Sequence, residues 1–167
     1  MSAMPDLAAD RARALALTPV SRETLVRLDH FVTLLLATQS HTNLIGPRTV
    51  PELWSRHIAD SLQLLGLAPQ AQVWLDLGSG GGFPGVVIAC ALGERPGAAV
   101  HLVESNGKKA AFLRQVCDEI GLPATVHHGR IEDLSLAIET DVVTATSSAA
   151  PWSSSAKPAR AALARST

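Results

Sequence analysis

Between Asp76 and Gly85 the chain reads Asp-Leu-Gly-Ser-Gly-Gly-Gly-Phe-Pro-Gly. Gly78, Gly80, Gly81 and Gly82 can take positive φ angles and let a ligand approach the backbone. Pro84 suits the first turn of a helix, where its missing N–H costs nothing. The residues before them, Val73, Trp74, Leu75 and Leu77, form a short apolar run of the kind found in a parallel strand buried on both faces. A strand, a glycine turn and a helix N-terminus together make a polar crevice lined by backbone N–H groups, which suits a nucleotide-type cofactor. A second apolar run, Val100-His101-Leu102-Val103, closes on another carboxylate, Glu104.

Two registers compete in the glycine turn. Gly80-x-Gly82-x-x-Gly85 matches the dinucleotide fingerprint, with Glu104 at about the right distance downstream. Asp76-x-Gly78-x-Gly80-x-Gly82 is instead the pattern of S-adenosylmethionine-dependent methyltransferases. In that register Asp76 helps fix the amino-acid end of the cofactor and Glu104 accepts from the ribose hydroxyls. Ile131 and Glu132 then flank the adenine. Upstream, His57, Asp60 and Ser61 fall on one polar face of a helix, a spacing that an ordinary solvated face also produces. Lys108, Lys109, Arg114 and Arg130, with Arg48 and Arg56, could neutralise phosphates; Lys108 and Lys109 equally suit a solvated helix start.

The surrounding pattern supplies the elements that would position these residues. Residues 1–18 are Ala-rich and helix-prone. Leu25, Leu28, Val32, Leu35 and Leu36 recur at helical spacing and predict a helix over 21–39. A second helix is predicted over 51–65, through Trp54, Ile58, Leu62 and Leu65, after a turn-like connector at 44–48. Strands are predicted at 72–77, 100–103, 125–128 and 141–144, with helices at 86–92 and 108–120 between the first three. Strands alternating with helices imply a parallel α/β sheet with right-handed crossovers. The implied division is a helical region at 1–68, an α/β unit at 69–145 and a tail at 146–167.

Composition narrows the classes. The chain has 167 residues, 47% of them hydrophobic, enough for a real core. Aromatics are only 4%, so stacking platforms for single-stranded nucleic acid are scarce. With a net charge of -1, nucleic-acid contact must come from local basic patches. Cys90 and Cys117 lie in helical, apolar surroundings and form no C-x-x-C, which points to reduced thiols rather than a disulfide framework or zinc site. The six histidines lack metal-ligand spacing, so no metal is expected. No segment reads as a signal peptide or membrane span.

Taken in order, several stretches resemble a single family. They are Asn43-Leu44-Ile45, Arg56-His57-Ile58-Ala59-Asp60-Ser61-Leu62, Asp76 to Gly85, Glu104 to Lys109 with Phe112 to Val116, and Gly129-Arg130-Ile131-Glu132-Asp133. The family is the bacterial 16S rRNA guanine-N7 methyltransferases, also called glucose-inhibited division protein B, and the resemblance covers residues 20–145. It implies a Rossmann-like sheet with an N-terminal helical extension, S-adenosylmethionine as cofactor and 16S rRNA or the small ribosomal subunit as partner. A cytoplasmic monomer is the expected state. The cofactor residues it implies are Gly78 and Phe83 with Ile131 and Glu132; it places the His57, Asp60 and Ser61 helix near the cofactor mouth. Guanine N7 has a lone pair and no proton, so the chemistry needs no general base, and no catalytic triad or carboxylate pair is evident.

The resemblance stops at Ala145. Thr146 stands where the family has an arginine implicated in cofactor binding, and residues 146–167 are dominated by Ala and Ser. That composition predicts a disordered or weakly helical tail that supplies no buried strand. It leaves the fourth strand as an open sheet edge and the C-terminal half of the fold incomplete. The expectation is a shortened or frame-shifted coding sequence with impaired activity. Two alternatives follow from the same reading: a non-catalytic remnant or RNA-binding module, and an NAD-dependent enzyme.

Overall fold

The structure, a computed structural model, describes residues 6–146 and 162–165. Its frame is a parallel sheet of β1 (Val73–Leu77), β2 (Ala99–Glu104), β3 (Ala124–His128), β4 (Val142–Ala145) and β5 (Ala162–Arg165). The strand order is β3-β2-β1-β4-β5. Leu77 lies opposite Val103 of β2 on one side and Ala145 of β4 on the other. The chain therefore winds outward from β1 in one direction and then returns to β4, and the reversal leaves a crevice at the strand ends beside β1.

Helices α4 (Gly85–Leu92) and α5 (Gly107–Ile120) connect β1 to β2 and β2 to β3 and pack on one face of the sheet. Helix α4 is apolar all round and correspondingly buried. Asn106 starts α5, its side chain accepting from the Lys108 and Lys109 amides at 3.0 and 3.1 Å. Gly121, at φ 73°, ends it in the left-handed conformation. The thiols of Cys90 on α4 and Cys117 on α5 are buried and unpaired. Burial pushes them up to about 12 and about 11, which keeps them protonated and unreactive.

The N-terminal region forms a further layer. Helix α1 (Leu7–Leu17) and α2 (Arg22–Gln39) are followed by a 3-10 segment (Pro47–Glu52), a π-helical segment (Leu53–Ala59) and α3 (Asp60–Leu67). Helix α2 packs across α4 and α5, and α3 packs on α4. Leu28, Phe31, Leu35, Ile58 and Trp54 join the same buried cluster as Val86, Leu102 and Leu113. The opposite sheet face is smaller: Leu75, Leu77, Val103 and Val143 lie beneath Ile131, Leu134 and Leu136 from the β3–β4 connection.

Two features differ from the sequence expectation. The single helix read over 51–65 begins earlier, and its hydrogen-bond pattern changes twice along its length. Residue periodicity at 3.6 does not distinguish these windings over so few turns. The outer edge of β4 is also paired rather than open, with Val142 opposite Ala162 and Ala145 opposite Arg165. Parallel pairing uses main-chain groups, so Ala-Leu-Ala-Arg can join a sheet that its composition did not predict. The expected tail otherwise falls on residues 147–161 and 166–167, outside the described residues.

The helical layer is fastened to itself by Asp10. Its buried carboxylate accepts from the Trp54 amide at 2.8 Å, the Ser55 amide at 3.3 Å and the Ser55 hydroxyl. Burial alone would raise its pKa, but these donors together with Arg13 hold it below the usual carboxylate value. Beside it, Arg11 makes two bonds to Asp29, at 2.8 and 2.7 Å, and lies 5.3 Å from the Trp54 ring centroid. Because the folded-state pKa is depressed, Asp10 contributes stability above about pH 4 that is lost as pH falls through the native value. Asp10→Ala, which strands the Trp54 amide, is expected to cost about 1–3 kcal/mol at pH 7 and less in acid. Urea melts at both pH values check this; an unchanged midpoint at pH 7 would contradict it.

Candidate active site

The glycine turn leaves β1 at the point where the winding reverses. Gly78, Gly80 and Gly82 have φ of 74°, 55° and 106°. The left-handed positions are thus the alternating glycines of the Asp76-x-Gly78-x-Gly80-x-Gly82 register. Gly81 is required for a different reason: a Cβ there would lie 2.7 Å from the Leu44 carbonyl oxygen. A Cβ on Gly85, at the start of α4, would meet Leu102 and the Asp76 carboxylate.

Two carboxylates hold the loop from below. Asp76 is 1% exposed; its Oδ2 accepts from the Gly85 amide at 3.1 Å and its Oδ1 from the Thr144 hydroxyl at 2.9 Å. It therefore ties β1, the start of α4 and β4 together beneath the loop. Glu104 is 7% exposed. Its Oε2 accepts from the Gly80 amide at 2.7 Å and its Oε1 from the Asn106 amide at 2.9 Å. The Gly78 and Ser79 amides both donate to the Val103 carbonyl at 2.9 Å, bringing the loop over the end of β2.

Burial pushes the Asp76 carboxyl up to about 7, and nearby Glu104 adds to the rise. The Thr144 and Ser79 hydroxyls and the Gly85 amide pull the other way. His57 is shifted below its ordinary value by burial and then by Arg56, with Asp60 opposing, so it is neutral at pH 7. The Thr49 hydroxyl donates to the Gly46 carbonyl at 2.7 Å, so it can only accept from His57 Nε2, 2.9 Å away. This pairing assigns His57 the tautomer with its proton on Nε2. The His57 ring lies 5.0 Å from the ring of Phe83, which in turn lies 5.3 Å from Phe31.

The arrangement gathers most of the residues singled out from sequence. Asp76, Gly78, Gly80, Gly82, Phe83 and Glu104 form one loop with its supports. Gly129 donates to the Glu104 carbonyl at 3.0 Å and so draws the following turn, with half-buried Ile131 and exposed Glu132, to the same strand ends. Lys108 on α5 and Arg130 are exposed beside that region, Lys109 is half-buried, and exposed Arg114 lies further along α5.

The expected common face of His57, Asp60 and Ser61 does not form. Ser61 is buried with its hydroxyl on the His57 carbonyl at 2.6 Å, whereas Asp60 is exposed. The change from π to α winding between Ala59 and Asp60 breaks the regular spacing on which that face depended. His57 reaches the loop through its ring beside Phe83. The sequence patterns do not mark Thr144, whose hydroxyl partner Asp76 lies far back along the chain, nor Ser79 and Gln39, whose side chains bond nearby backbone without a recognised spacing.

The residues present suit an amino-acid-bearing nucleoside cofactor. Among the described residues the Gly81 and Phe83 amides donate to no protein acceptor. The space above Gly80 is open, since a Cβ there would meet only the Gly78 carbonyl oxygen at 3.8 Å. Each Glu104 oxygen has one protein donor and a further lone pair for a hydroxyl.

Solved structures share this architecture. A cofactor-bound protein, Rv0187 from MTB, superposes with a TM-score of 0.56 at 22% identity, covering 85% of this chain and 60% of that one. The SAH-bound Podospora anserina methyltransferase PaMTH1 superposes with a TM-score of 0.54 at 15% identity, covering 87% and 59%. The fold is thus the α/β, Rossmann-like fold found in methyltransferases. In sequence, a family profile described as rRNA small subunit methyltransferase G matches residues 24–153. Ribosomal RNA small subunit methyltransferase G of Bradyrhizobium sp. strain ORS 278 is 64% identical over 133 residues, 80% of this chain and 60% of the relative. Its namesake from Rhodopseudomonas palustris strain BisB18 is 69% identical over 111 residues, 66% and 47% respectively. The chain belongs to this family, the GidB family. It spans about three-fifths or less of the length of these relatives.

The raised Asp76 pKa has a measurable sign. An acid with a folded value of about 7 against an ordinary 3.8 binds an extra proton in the native state between those values. Its contribution is complete below about pH 4 and is lost as pH rises to about 7. The stability of Asp76→Asn relative to wild type is therefore expected to improve steadily from pH 4 to 7 in denaturant melts. A pH-independent difference would contradict a buried, proton-sharing Asp76.

Proposed function

We propose that this chain binds S-adenosylmethionine at the glycine loop and methylates N7 of a guanine in 16S rRNA of the small ribosomal subunit. The observation that carries the reading is the Gly80 amide held by Glu104 in a loop with alternating left-handed glycines, inside the stretch shared with the rRNA methyltransferase family. The 16S substrate is inferred from the relatives' name and from the motif resemblance, and a cytoplasmic monomer accords with it. Among the described residues no helix is long and apolar enough to cross a membrane.

When bound, the cofactor supplies a methyl group on a sulfonium that a lone pair can attack. The chain's part is to bind and orient. The Gly81 and Phe83 amides and the outer lone pairs of Glu104 are donors and acceptors for the cofactor, with Ile131 and Glu132 at the adenine side. Asp76 serves beneath the loop as a positioning residue, since both its oxygens are engaged inside the protein. Guanine N7 carries no proton to remove, so alignment and exclusion of water can provide much of the rate gain. The neutral His57 ring packs against Phe83 at one side of the loop. Lys108, Lys109, Arg114 and Arg130, none of which forms an ion pair among the described residues, are available for phosphates.

A non-catalytic reading is favoured by one observation. Thr146 occupies the position at which the family resemblance places an arginine, and its hydroxyl donates to the Gly78 carbonyl at 3.1 Å. Labelled S-adenosylmethionine and small subunits lacking the modification separate the two. Incorporation at a guanine N7 is expected, together with about tenfold or greater weakening of cofactor binding in a folded Glu104→Ala variant. Cofactor binding without incorporation would support the non-catalytic reading; no binding would overturn both the site and the reaction.

A further inference from the structure

One wall of the glycine loop comes from the helical layer, where the Leu44 carbonyl approaches Gly81. Gln39, the last residue of α2, closes the 40–46 connector with three hydrogen bonds. Its Oε1 accepts from the Leu44 amide at 3.0 Å and the Ile45 amide at 3.1 Å, while its Nε2 donates to the Ile45 carbonyl at 2.8 Å. A side-chain amide that satisfies two N–H groups and one C=O fixes the backbone of two consecutive residues as a neighbouring strand would.

That backbone meets the loop at two points. The Leu44 carbonyl sits so close to Gly81 that a Cβ would fall 2.7 Å from its oxygen and 3.1 Å from its carbon. The next residues connect to Phe83 indirectly. The Gly46 carbonyl accepts from both the amide and the hydroxyl of Thr49, at 2.9 and 2.7 Å. Thr49 then accepts from His57 Nε2, and the His57 ring rests on Phe83. The connector from Gln39 thus bears on Gly81 directly and on Phe83 through Thr49 and His57. Glu104 restrains the same loop from the sheet side through Gly80.

We propose that Gln39 is a positioning residue for the glycine loop, setting its shape from the helical layer as Glu104 does from the sheet. The functional meaning of that loop rests on the cofactor reading above, but its rigidity can be measured without a ligand. Gln39→Met keeps the length of the side chain and loses all three bonds, so it separates the clamp from the mere presence of a long side chain.

Amide hydrogen exchange of the full chain tests the proposal directly. In Gln39→Ala the Gly80 and Gly82 amides, which donate to Glu104 and to the Ser79 carbonyl, are expected to exchange about tenfold faster. The amides of α5 should be unchanged, and Gln39→Met should lose the protection as Gln39→Ala does. Uniform acceleration across α5, or unchanged exchange at Gly80 and Gly82, would overturn the proposal. A binding cycle with S-adenosylmethionine extends it. Gly81→Ala should weaken binding strongly in the wild-type background and clearly less in Gln39→Ala, because a released connector can move away from the new methyl. Additive losses would also overturn it. Failure of the wild-type chain to bind would sink the cofactor reading alone, with the exchange result still deciding the role of Gln39.

Discussion

The Asp76 carboxyl is the constraint on which the site depends. It has almost no solvent contact, and it takes one donor from the first turn of α4 and another from β4. A buried carboxyl without such partners would be strongly unfavourable. The same demand for partners therefore dictates where the helix begins and how the returning strand is placed beside β1. Gly85 is part of this arrangement, because any side chain there would displace the carboxylate or Leu102. With both ends of the loop fixed in this way, Gly78 to Gly82 must close a short gap, which they do through left-handed glycines.

Glu104 completes the loop in a different manner. It is nearly as buried as Asp76, but its carboxylate binds a loop amide and a turn amide rather than two framework elements. Its remaining lone pairs make it the more suitable of the two for ligand contact. Asp76 shapes the site and Glu104 can belong to it. Two carboxylates at the ends of adjacent strands thus acquire separate roles from what surrounds them, with desolvation and proximity to Glu104 raising the Asp76 pKa.

Much of this was legible in the residues themselves. Acids at strand ends, glycines in alternation and Pro84 before a helix announce their conformations locally, and the parallel sheet followed from alternating strand and helix patterns. The choice between glycine registers came from the flanking motifs, and the left-handed angles at Gly78, Gly80 and Gly82 agree with it. Asp10 and Thr144 were not legible because their partners lie far along the chain; Gln39 and Thr49 act on nearby residues, but through side-chain bonds that no periodicity announces. The face shared by His57, Asp60 and Ser61 failed for a related reason: helical spacing assumes one winding, and the segment from Pro47 to Leu67 uses three. Pairing of Ala162–Arg165 with β4 rests on main-chain groups, which composition does not report.

The most direct test is a titration of the isotopically labelled chain with S-adenosylmethionine, followed by backbone amide resonances. Saturable shifts concentrated at Gly78 to Phe83, Glu104 to Asn106 and Ile131 to Glu132 are the expected result. The open cavity of about 490 Å³ between α2 and α5, lined by Arg22, Arg27, His30 and Glu119, provides an internal alternative. Shifts confined to those residues, with the glycine loop silent, would contradict the assignment of the cofactor to the crevice beside β1.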